Sequence, residues 1–122
     1  MTFILNLIKH YWLFITVFLL TAIATLSLWP AEYLPKVPGS DKTHHFISYG
    51  ALMLPVALRK PKHWLWIALG FAAFSGAIEL IQPYVNRYGE WLDMAANVAG
   101  LACGIILAKI LEYFFQNTPS NI

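Results

Sequence analysis

From Tyr11 to Pro30 the chain reads YWLFITVFLLTAIATLSLWP, 20 residues without a charge. A helix of about 20 apolar residues is what crosses the roughly 30 Å hydrocarbon layer of a bilayer. This one segment therefore directs the chain toward a membrane. Composition carries the point across the whole sequence: 59% of the 122 residues are hydrophobic and 11% are charged, against about 25% charged in a typical soluble domain. A soluble fold of this length could not hide so much apolar surface. Lys9 and the Ala22-Ile23-Ala24 triplet imitate a leader and its cleavage site. The apolar run continues well past the triplet, so the segment is expected to be a retained span.

Three more spans follow. Between Lys42 and Arg59 lie 16 residues, roughly 24 Å of helix, with Pro55 expected to kink the end. A span that short draws its flanking polar groups toward the hydrocarbon or thins the bilayer around it. The third runs from Trp64 to Pro83, its tryptophans suited to an interfacial belt. The fourth opens near Trp91 and continues through AANVAGLACGIILAKILEYFF. The expected fold is all-α, an integral membrane bundle of four transmembrane helices at 11–30, 42–59, 64–83 and 91–115. Residues 1–122 form one membrane domain, with a polar tail, QNTPSNI, that frays.

Basic residues near span ends set orientation. Lys9, Arg59, Lys60, Lys62 and Lys109 share one side; Lys36, Lys42 and Arg87 share the other. The excess places both termini in the cytoplasm. The net charge of +2 gives no case for nucleic acid, and Cys103, alone, supports neither a disulfide nor a cysteine-based metal site.

An even span count gathers the informative polar residues at one end, on the outer side. Asp41, Lys42, His44 and His45 open the second helix, and Glu79 and Gln82 close the third. Arg87 sits in the connection, and Asp93 and Asn97 open the fourth. Asp41 and His45 are four apart, Glu79 and Gln82 three, Asp93 and Asn97 four, so each pair shares a helix face. His44 points about 100° away from His45 and is placed at the interface.

Acids in a first turn, such as Asp41 and Asp93, are also ordinary helix caps. Glu79 is different, because it lies at the helix end where the dipole disfavours it. A charge inside a membrane helix costs on the order of 2.5–3.5 kcal/mol and marks a functional site or a paired partner, here Lys42 or Arg87. His45, Glu79 and Asp93 suit several divalent ions chemically, but no HExxH or repeated histidine spacing accompanies them. No metal site is assigned and no cofactor is named. Ala96, Gly100 and Gly104 on the fourth helix, and Ala72 and Gly76 on the third, form small-residue stripes that let membrane helices approach closely. Packing on Gly76 turns Glu79 inward.

The ordered set Asp41-Lys42-x-x-His45-Phe46, Glu79-x-x-Gln82, Arg87, Asp93-x-x-x-Asn97-x-x-Gly100 resembles the VanZ-like family of small bacterial membrane proteins, over residues 37 to 108. The resemblance implies a multi-pass protein of the bacterial cytoplasmic membrane, in a family named for a protein associated with teicoplanin resistance. It implies no mechanism. In NRYGEWLD this chain adds Glu90 beside Arg87, where an extra acid weakens an anion site.

Two functions remain open. In the first, the protein binds or modifies a lipid-linked or anionic headgroup at the outer leaflet, with Asp41, Lys42, Gln82, Arg87 and Asn97 as binding residues. Its partners are then membrane lipids or a lipid-linked envelope precursor. In the second it is an intramembrane hydrolase or transferase acting on a lipid-linked phosphate or sugar, with His45, Glu79 and Asp93 as catalytic residues. Ser75 and Cys103 lie too deep in apolar runs to serve as nucleophiles. A proton-coupled carrier would need more spans than one chain holds, which a homo-oligomer would supply.

Overall fold

The computed structural model describes residues 2–29, 41–85 and 91–115. Among them every regular element is helical: α1 (Thr2–His10), α2 (Trp12–Leu28), α3 (Asp41–Arg59), α4 (Trp64–Ile81) with a 3₁₀ turn at Gln82–Val85, and α5 (Trp91–Phe115). The all-α expectation holds. Trp64–Tyr84 and Leu92–Phe115 are each long and apolar enough to cross a membrane. α1 and α2 qualify only together, bent by 74° at their break. Length and composition thus give two spans, or three with the bent pair.

The outside of the bundle is apolar. Phe14, Phe18, Leu65, Trp66, Leu69, Leu80 and Ile106 are all more than half exposed. Soluble monomers rarely expose apolar patches beyond a few hundred Å², so this surface is one for lipid.

α3 touches α1, α2, α4 and α5, most extensively α5. Tyr49, Leu52, Met53, Val56, Ala57 and Leu58 are nearly inaccessible, while Phe46 and Ile47 nearer its start are 38% and 61% exposed. Pro55, which removes a backbone donor, is tolerated inside this helix, and α3 continues to Arg59.

The α3–α5 seam is a backbone contact. A Cβ added at Gly100 would overlap the carbonyl oxygen of Phe46, and one at Gly104 would lie 2.7 Å from Gly50 O and 2.9 Å from Met53 Cβ. Ala108, 1% exposed, extends the stripe. Gly76 is looser: its Cβ would meet Met94 Cε at 3.3 Å, so α4 rests on a flexible side chain of α5.

α1 departs from the sequence reading, which treats Lys9 as a boundary charge ahead of the first span. Leu5 and Lys9 are buried, α1 packs on α3, and Thr2 Oγ1 donates to Phe115 O at 2.8 Å. The chain therefore turns back over the end of the bundle where α3 stops and α5 finishes. Lys60 Nζ meets Glu112 Oε2 at 3.3 Å at that same end. Lys60 and His63 take positive φ, 51° and 65°, which lets the RKPK connection turn within four residues. At the other end of α2, Trp29 is extended (φ −75°, ψ 137°), as the residue before a proline favours.

The seam gives a direct expectation. Gly104→Ala should destabilise the detergent-solubilised protein by about 1–3 kcal/mol through overpacking. Gly70→Ala, where an added Cβ meets nothing within 4 Å, should be neutral or gain about 0.5–1 kcal/mol from helix propensity. Thermal unfolding of both variants beside the parent checks this.

Candidate functional site

The close approach of α3 and α5 sets two polar turns against each other, one turn above the glycine contact. His45 Nδ1 lies 3.0 Å from Asn97 Oδ1, and His45 Nε2 lies 3.9 Å from Asp93 Oδ2. Lys42 Nζ stands 3.8 Å from Asp93 Oδ1. An amide oxygen accepts only, so Nδ1 is the donor in the His45–Asn97 bond, and Nε2 is the ring nitrogen that faces the carboxylate. Asn97 is 1% exposed and Asp93 6%. Buried polar groups at this depth need partners, and Asn97 and His45 are each other's.

Asp93 bears on the capping question raised by its position. Among the described residues it makes no capping hydrogen bond; its oxygens face Lys42 and His45 instead. Lys42 is half-exposed, so it forms the mouth of the cluster while Asp93 and Asn97 form its floor.

Glu79 arrives from α4. Ligand atoms of His45, Glu79 and Asp93 all lie within 4.8 Å of one another. Glu79 is half-buried, and the packing of Gly76 on Met94 one turn earlier turns it inward, as its small neighbour suggested. Three helices whose contributing residues are separated by 34 and 14 positions thus converge on one point.

Gln82, one turn beyond Glu79, is 1% exposed; its Nε2 donates to Ser27 O at 3.0 Å, and its Oε1 is buried with no hydrogen-bond partner among the described residues. It fastens the end of α4 to the end of α2, a tie whose backbone acceptor, 55 residues away, has no signature in sequence. The side chain of Asp41 and all of Arg87 and Glu90 lie outside the described residues. Ser75 is buried and donates to Ala72 O of its own helix at 3.0 Å, while Cys103 is exposed on the outer surface of α5. Neither is placed as a nucleophile. Tyr49, one turn along α3 from His45 and 1% exposed, is the large buried polar side chain that the sequence reading left without a role.

A protein-family model described as VanZ/LLP1 matches residues 2–112. The chain belongs to the VanZ/LLP1 family. The match reaches beyond the motif-bearing region at both ends, so α1 and α2 are part of the VanZ/LLP1 unit. No curated protein and no solved structure matches the chain. Among the described residues of this VanZ/LLP1 protein, the junction of α3, α4 and α5 brings His45 and Glu79 together with the buried Asp93 and Asn97.

Proposed function

We propose that this VanZ/LLP1 protein sits in the bacterial cytoplasmic membrane with four spans and both termini inside, and binds an anionic headgroup at the outer leaflet. The headgroup belongs to a membrane lipid or a lipid-linked envelope precursor. The observation that carries the reading is a half-exposed Lys42 over a buried Asp93–His45–Asn97 floor, where the first turns of α3 and α5 converge. Helix N-termini carry partial positive charge and unsatisfied N–H groups, which favour anions. Arg87, in the connection between α4 and α5, adds a second cation to the same end in sequence. Asp93 fixes Lys42, and Asn97 fixes His45, so the site is built before its ligand arrives. Holding or altering an outer-leaflet headgroup is the route by which we connect the protein to glycopeptide (teicoplanin) resistance.

One observation favours a second reading. His45, its ring fixed by the bond to Asn97, turns Nε2 toward Glu79 and Asp93, which is the equipment of a general acid–base hydrolase or transferase.

Substitutions separate the two. Charge-assisted bonds to a phosphate contribute about 1.5–3 kcal/mol each, so Lys42→Gln and Arg87→Gln should each weaken binding of anionic lipid by about 10–100-fold in nanodisc titrations. His45→Gln should stay within a few fold of the parent. A folded His45→Gln protein that binds normally but loses its cellular activity would support the enzyme reading instead.

Orientation has its own check. A cysteine introduced at residues 86–90 should react with an impermeant thiol reagent in intact cells, or in spheroplasts where an outer membrane blocks access. Labelling only after lysis would place the cluster on the cytoplasmic side.

A further inference from the structure

We infer that His45, Glu79 and Asp93 form a binding site for one divalent transition cation, of the zinc or manganese kind. The three residues come from three helices, and their ligand atoms lie within 4.8 Å of one another. An ion held at about 2.0–2.2 Å from nitrogen and oxygen donors spaces those donors about 3–4 Å apart. Side-chain rotation of less than about an ångström closes the group to that geometry.

The orientation of His45 is a further observation. Asn97 Oδ1 accepts from His45 Nδ1 at 3.0 Å, which leaves Nε2 as the ring nitrogen turned to the cluster. It faces Asp93 Oδ2 at 3.9 Å, too far for a hydrogen bond. A ring nitrogen and a carboxylate oxygen thus stand across a gap that a cation would fill. A histidine that ligates through one nitrogen characteristically donates its other N–H to a fixed acceptor, which sets the tautomer and the ring orientation. Asn97, 1% exposed, is that acceptor.

Burial strengthens the case. Asp93 is 6% exposed, and its Oδ1, 3.8 Å from the Lys42 ammonium, has no hydrogen-bond partner among the described residues. Glu79 and Asp93 bring two carboxylates to this pocket, hard oxygen ligands of the kind divalent ions take. One imidazole with two carboxylates suits zinc and manganese. The opposing account is an imidazolium: His45 doubly protonated and paired with Asp93, with no metal.

Three protein ligands leave at least one coordination position open. The metal site goes beyond the reading proposed above and does not rest on it.

The test uses the full chain in detergent, stripped with a chelator and then equilibrated separately with zinc and with manganese. After desalting, elemental analysis should find one ion per chain for at least one of the two metals. Glu79→Gln and Asp93→Asn, which preserve side-chain shape, should abolish retention, and Asn97→Ala should weaken it by about 10–100-fold, as loss of a ligand-orienting partner does. His10→Ala and His63→Ala, at the opposite end of the bundle, should change nothing. A reading free of mutation guards against variants that misfold: on adding zinc to the parent, the His45 Nε2 resonance should shift while Nδ1 keeps its proton. Retention of neither metal, retention indifferent to Glu79→Gln and Asp93→Asn, or a His45 spectrum with both nitrogens protonated and unmoved by zinc would overturn the site. All of these measurements omit lipid. Metal retained without headgroup binding would therefore remove the proposed function and leave the metal site standing, and headgroup binding by a protein that retains neither metal would do the reverse.

Discussion

The arrangement depends on α3 and α5 touching through their backbones. At Gly100 and Gly104 there is no room for a methyl group, so the two helices lie as close as helices can. In lipid, where exclusion of apolar surface from water does not drive helices together, such close packing is a principal source of association. It also has a positional consequence. Asp93 and Asn97 precede Gly100 on α5 as Lys42 and His45 precede Phe46 and Gly50 on α3. Bringing the glycine turns into contact brings the polar turns within hydrogen-bonding reach. The seam that stabilises the bundle is the one that assembles the site.

α4 joins on different terms. It leans on Met94 through Gly76 and is fastened at its end by Gln82 to the last turn of α2. Glu79 lies between those two fixings. An acid near the C-terminal end of a helix is disfavoured by the dipole, and here it stands with its ligand atoms within 4.8 Å of those of His45 and Asp93. At the far end, α1 folds across the bundle with Leu5 and Lys9 buried, and Lys60 pairs with Glu112. The two ends differ accordingly. One is closed by a helix and a surface ion pair, and the other presents Lys42 to its surroundings over buried polar groups.

Much of this was legible in sequence, for reasons that can be named. Long uncharged runs announce helices for lipid, and the punctuation between them sends Lys42, His45, Glu79, Asp93 and Asn97 to one end before any contact is known. The Gly100–Gly104 stripe announces the tight seam. What the sequence could not show was relational. α1 is nine residues long, too short to register as an element of a membrane protein, and Lys9 looked like a boundary charge because nothing nearby in sequence buries it. The short run of α3 gives no sign in sequence that Leu52, Met53, Val56, Ala57 and Leu58 are all covered by neighbouring helices. The bond from Gln82 Nε2 to a backbone oxygen on α2 likewise has no signature in sequence. The pairing of His45 with Asn97 lies 52 residues apart and follows only from the seam.

The most direct measurement of that dependence is the ¹⁵N spectrum of His45 in the parent and in Gly100→Ala. In the parent, Nδ1 should carry the proton and show the signature of a hydrogen bond to Asn97. A Cβ at Gly100 would overlap the Phe46 carbonyl and push α5 away from α3 next to His45. The 3.0 Å bond cannot follow, so the folded Gly100→Ala protein should lose that signature although no polar residue has changed. An unaltered His45 spectrum in a folded Gly100→Ala protein would contradict the claim that the glycine seam assembles the site.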